Sequence, residues 1–155
     1  MMARRGKDLR TKDGGPERAL PVSLLRAREA VMAHMRPILR AEGVTEQQWR
    51  VLRTLDTRRP LGKTTLCDRA VLLMPSLLRI LKDIEHAGWV RLVPSKANGR
   101  LSEVILTREG KVLVDRVSAR LAAKRATVER AIGDDEVARL LDLLAAVEIR
   151  LKGLG

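Results

Sequence analysis

Ser76, Arg79 and Lys82 are spaced by three, so a helix through them carries a hydroxyl, a guanidinium and an ammonium along one side. All three are hydrogen-bond donors suited to oxygen-rich or anionic surfaces. Lys63, Thr64 and Thr65 stand where another helix begins and offer one charge, two hydroxyls and free backbone amides to a phosphate. Lys96 and Arg100 flank Asn98-Gly99, so a turn there projects two cations. A different chemistry gathers at Trp49, Arg50 and Arg53, where a flat apolar ring beside guanidinium groups could stack on an aromatic acid and grip its carboxylate. Catalysis is not expected. His34, His86 and Cys67 lie on separate segments with neither triad nor metal spacing, and Asp134-Asp135-Glu136 suits a helix start, so no enzyme activity, metal or cofactor is implied.

Thirty-one Lys and Arg against 19 Asp and Glu give the 155 residues a formal charge of +12, which points to a polyanionic partner, nucleic acid or an anionic membrane surface. Residues 44–106 hold the largest share, +5. No apolar run reaches the roughly 18 residues of a membrane span, and the N-terminus has no apolar signal core, so a cytoplasmic protein is expected. Cys67 stands alone, which excludes an intrachain disulfide, and its apolar neighbours suggest a buried structural thiol.

Residues 1–18 are polar, contain Gly-Gly-Pro and read as a disordered basic tail, either a solvated arm or a source of nonspecific DNA affinity. From Leu20 to Glu42 the spacing of Leu24, Val31, Met35 and Ile38 predicts a helix, with Pro21 in its first turn and a kink at Pro37. Thr45 and Gln48 form a capping box for the next helix, with Val44 able to staple onto Trp49 and the ring expected at the edge of the core. Arg58 to Gly62 reads as a turn. Short helices follow near Thr65 to Ala70 and from Pro75 to Ala87, the latter stopped by Gly88. WVRLV and LSEVIL around Asn-Gly predict a β-hairpin. Thr107 caps a long helix, and a last one starts at Asp134, where Val137, Leu140, Leu144, Val147 and Leu151 repeat at coiled-coil spacing.

Helix, helix, turn, helix and a hairpin with a basic tip is the order of a winged helix-turn-helix, within a mostly α chain whose only β feature is a small hairpin wing. On the Pro75–Ala87 helix, Leu77, Leu78, Ile80, Leu81 and Ile84 form an anchoring side, opposite Ser76, Arg79, Lys82, Asp83 and His86. The N-terminal part of such a helix, which here begins at Pro75, lies against base edges in the major groove, where Arg79 could donate twice to guanine and Ser76 could meet a base or a phosphate. Lys82 suits a phosphate. Lys96, Asn98 and Arg100 would reach the backbone or the adjacent minor groove. For each of these the alternative is an ordinary solvated residue.

Three stretches resemble the MarR family of transcription regulators: LLRAREAVM from Leu24 with RPIL from Arg36, TEQQWRVLR from Thr45, and L-x-x-x-A-x-x-x-x-P-S-L from Leu66 continued by E-x-x-G-W-V and L-T-x-x-G. The first two most resemble regulators of homoprotocatechuate-degradation operons. The resemblance implies a homodimer that binds an inverted-repeat operator and releases it when a phenolic or aromatic acid binds. Residues 44–106 would form the DNA-binding domain, and 19–43 with 107–155 the helical dimerisation region. The family wing usually carries Asp-x-Arg; here Asn98-Gly99-Arg100 keeps the arginine without the carboxylate. Independently of the resemblance, the apolar stripe of the last helix exceeds what a small winged domain can cover, and a partner chain would cover it.

Within that architecture an effector pocket is expected from Trp49, Arg50 and Arg53 with Ser23, Arg26, His34 and Arg36 of the first helix. Alternatively Trp49 only staples its helix to Val44 while the arginines pair with Glu29 and Glu46, and His34 is a packing residue. A competing function is an effector-independent winged-helix architectural or RNA-associated protein, distinguished by little operator preference and no ligand-dependent release.

Overall fold

The computed structural model describes residues 19–96, 99 and 101–154, with the side chains of 101 and 102 left aside. The described residues divide into two compact units between Ala33 and His34. The tail expected at 1–18 lies outside the described residues. Helix α1 spans Leu20–Ala41 and runs through Pro37 without interruption. Leu20, Leu24, Leu25 and Val31 are exposed along its first half.

In the second unit, α1 ends where Gly43 takes φ +68°, so that the Val44 and Gly43 amides return to the Leu39 and Arg40 carbonyls, each at 3.0 Å. The capping box then opens α2, Glu46–Thr54: Thr45 Oγ1 accepts from the Gln48 amide at 3.1 Å, and Gln48 Oε1 accepts from the Thr45 amide at 3.0 Å. Val44, Trp49, Val51, Leu52 and Leu55 enter one core with Leu66, Leu77, Ile80, Ile84, Val104 and Val114.

Leu61–Gly62, read from the sequence as part of a turn, forms strand β1 and pairs antiparallel with Val104 and Glu103. A two-residue strand has no alternation to detect; it exists because the facing strand offers a free edge. Helix α3, Lys63–Ala70, starts two residues before its expected position, directly from β1 with Gly62 as N-cap. Its C-terminus is unusual: Val71 adopts φ 53°, ψ 59°, a left-handed conformation that β-branched residues seldom take.

Helix α4 covers Met74–His86 and buries Leu77, Ile80, Leu81 and Ile84. Leu78, assigned from the sequence to that buried side, is instead 47% exposed. It sits at the border of the apolar arc, beyond the reach of the elements that cover its neighbours. Strands β2, Val90–Pro94, and β3, Leu101–Leu106, pair antiparallel, giving sheet order β1-β3-β2. In the connection between them the Gly99 amide donates to the Ser95 carbonyl at 2.8 Å, while Asn98 of the expected Asn-Gly turn lies outside the described residues.

Helix α5, Arg108–Ile132, is seated by Thr107, whose hydroxyl accepts from the Gly110 amide at 3.0 Å and donates to the Gly88 carbonyl at 2.6 Å. The glycine is required, since a Cβ at position 110 would run into the Trp89 carbonyl. Leu113, Val114 and Val117 are buried. Arg116 and Arg120 donate to the Glu42 carboxylate, which is 9% exposed, and hold its pKa below the usual carboxylate value. Helix α6, Asp134–Lys152, has no buried residue, and Leu140, Leu141, Leu143, Leu144, Ile149 and Leu151 are all exposed on it.

Candidate nucleic-acid interface

Alpha-helix α4 is anchored through its apolar arc, which fixes the opposite side toward solvent. Pro75, in the first turn, has no N–H and so leaves no donor without a helical partner there, and Arg79 and Lys82 are exposed, with Ser76 half-buried. Lys63, Leu78 and Lys82 line one shallow groove of about 130 Å³ between α4 and the sheet, which brings the start of α3 and the outer side of α4 together. Thr64 and Thr65 are exposed at that start, and no side chain caps the α3 amides. A second groove sets Arg79 and Asp83 beside Thr45 to Gln48 at the beginning of α2. Lys96 is exposed in the β2–β3 connection, whereas Asn98 and Arg100 lie outside the described residues.

These features form a cationic, donor-rich end of the unit. Two side chains not anticipated there are apolar: Leu78, and Leu73 at the α4 N-cap, 77% exposed. Helical spacing assigns Leu78 to the anchoring side, which its exposure contradicts, and Leu73 precedes the helix, so periodicity is silent about it.

The seven residues expected to hold an aromatic acid have more divided roles. Trp49 is 7% exposed and belongs to the core rather than to its edge, because Val44 and the residues of α3 and α4 close around α2. Arg50 Nη1 donates to the carbonyls of Ala70 and Val71 at 3.1 and 3.0 Å, fastening the end of α3. Arg36 Nε pairs with Glu46 at 3.2 Å. His34 and Arg53 are exposed, and so are Ser23 and Arg26 in the first unit.

A profile described as the MarR family matches residues 44–102. The HTH-type transcriptional regulator FarR of Neisseria gonorrhoeae is 37% identical over 128 residues, 82% of this chain and 87% of the relative. The chain belongs to the MarR family. This MarR regulator is also 35% identical to the homoprotocatechuate degradative operon repressor of Escherichia coli, over 81% of the chain and 85% of the repressor. Among solved structures, NadR in complex with 4-hydroxyphenylacetate superposes with a TM-score of 0.79 at 31% identity, covering 88% of this chain and all of that one. The winged helix-turn-helix of MarR regulators is therefore the fold found, with β1 as third strand of its sheet. The relatives are transcriptional regulators rather than enzymes. No helix among the described residues is long and apolar enough to cross a membrane.

Proposed function

We propose that this MarR regulator is a homodimeric repressor of an aromatic-compound catabolic operon, working in the cytoplasm and released from an inverted-repeat operator by a phenolic or aromatic carboxylic acid. The observation that carries this is the likeness to the homoprotocatechuate operon repressor across 85% of its length, joined by the likeness to NadR, which was solved with 4-hydroxyphenylacetate.

Residues 44–106 read DNA. Ser76 and Arg79 meet base edges, Pro75 seats the helix end, and Lys63, Thr64, Thr65 and Lys82 hold phosphates. Lys96, Asn98 and Arg100 of the wing take the neighbouring backbone or minor groove. Residues 19–43 and 107–155 make the dimer; the bare apolar face of α6 supports this, since a helix without a buried residue gains little from folding alone.

For the effector, Arg53 is the guanidinium of α2 free to face solvent one turn beyond Trp49, and it grips the carboxylate. Binding shifts the population toward a form whose reading helices no longer match successive grooves, by no more than the ligand's differential affinity for the two forms.

A gel-shift titration of the full chain against DNA upstream of its own gene, with and without hydroxylated phenylacetates and benzoates, tests both halves. Retention of that duplex over scrambled DNA, and its release by one of these acids, is expected. Equal binding to scrambled DNA defeats the repressor reading, and binding unaffected by every acid defeats the effector reading.

A further inference from the structure

The reading end of α4 carries apolar side chains where a purely electrostatic DNA surface needs none. Val71 and Leu73 are each 77% exposed in the turn and N-cap before α4, and Leu78 is 47% exposed one turn into it. At about 100° per residue, Leu78 falls next to Lys82 and within one helical step of Pro75 and Arg79 on the outward side. The groove it shares with Lys63 and Lys82 sets it between two cations. A single exposed leucine is commonplace. Here Leu78 lies in a groove with Lys63 and Lys82, which Glu85 also lines, and a polyanion drawn to the two cations presses against it.

We infer that Leu73 and Leu78 are specificity-determining contacts for the C5-methyl groups of thymines in the major groove. The inference rests on the DNA-reading role proposed above for α4 and adds to it the identity of bases that Arg79 does not read. Thymine is the only base that presents a methyl group in the major groove, and apolar side chains recognise it by burying that group. Arg79, by contrast, finds its two acceptors on guanine. An operator half-site should therefore combine a guanine with one or two flanking thymines. Two residues before Leu73 the chain is fastened by Arg50, which donates once to the Ala70 carbonyl and once to that of the left-handed Val71.

The test uses the full chain and a duplex that it selects from a random library. Each thymine is replaced in turn by deoxyuridine, which pairs identically and lacks only the methyl. Wild-type protein should lose about fourfold in affinity at one or two thymines per half-site, the fold-change equivalent to about 0.8 kcal/mol for one buried methyl-sized group. Leu73→Ala and Leu78→Ala should each bind the thymine duplex more weakly and shrink the deoxyuridine penalty at one position, while Arg79→Ala should leave that penalty in place. Deoxyuridine tolerated at every position, or penalties that persist in both leucine variants, would overturn the inference while leaving the repressor reading intact. Failure to select any duplex would overturn that reading and this inference with it.

Discussion

Arg50 on α2 donates to the carbonyl of Val71, which among the described residues is the one non-glycine with positive φ. The guanidinium thus fastens the turn between the two helices of the DNA-reading pair at its most strained point. Arg50→Ala should lower stability by about 1.5–3 kcal/mol, the range for hydrogen bonds to a charged group, and Arg50→Lys should recover only part because the shorter lysine chain does not carry its nitrogen to the position of Nη1. Urea denaturation followed by circular dichroism measures both.

Val71→Gly removes the left-handed strain of about 1–2 kcal/mol and adds about 0.5–1 kcal/mol of backbone entropy cost. Since the valine side chain is exposed, little burial is lost. The expected outcome is stability equal to wild type or higher by about 1 kcal/mol. A fall beyond about 1 kcal/mol would mean that the valine makes contacts its exposure does not reveal.

Gly110→Ala forces a methyl against the Trp89 carbonyl, a backbone atom that cannot turn aside. Destabilisation of about 3 kcal/mol or more is expected, read as a large drop in Tm. Gly62, whose Cβ would meet open space, is the internal control: Gly62→Ala should be far milder.

Glu42 makes the pH dependence directional. Its folded pKa lies below the ordinary value because Arg116 and Arg120 hydrogen-bond the carboxylate. A depressed carboxylate contributes stability that is present above the unfolded pKa, near 4.5, and is lost as pH falls through the lower folded value. Glu42→Gln should therefore be less stable than wild type at neutral pH, with the difference closing in acid. Parallel melting curves over the whole pH range would contradict this.

The burial of Trp49 changes how the effector can be tested. Trp49→Ala would remove a core side chain and cost about 3–5 kcal/mol, so loss of response there would report unfolding. Arg53→Ala touches an exposed residue. It should keep the fold and raise by about tenfold or more the 4-hydroxyphenylacetate needed for DNA release, as expected when a charged, bidentate bond to a carboxylate is removed. An unchanged dose response would exclude Arg53 from the site.

Local chemistry made much of this fold legible. Thr45 and Gln48 announce the start of α2, Gly43 and Gly88 stop two helices, and Thr107 caps the Gly110 amide of α5, because each of these contacts needs only partners a few residues away. The burial of Trp49 and the hydrogen bonds of Arg50 are not legible for the opposite reason. A helical wheel gives their direction, but what covers the ring or accepts from the guanidinium comes from α3, about twenty residues later. Leu78 marks the same limit, since its angle on α4 is compatible with either side of the boundary and only the neighbouring elements decide. Strand β1 is shorter than any pattern, and it exists only through its pairing with β3.

That pairing has a mechanical outcome. Gly62 is at once the last residue of β1, the partner of Glu103 on β3 and the N-cap from which Lys63 departs. A displacement of β3 is therefore passed through this one residue to Lys63, the first residue of α3. The sheet edge and the start of α3 are thus one mechanical joint, and moving either displaces the other.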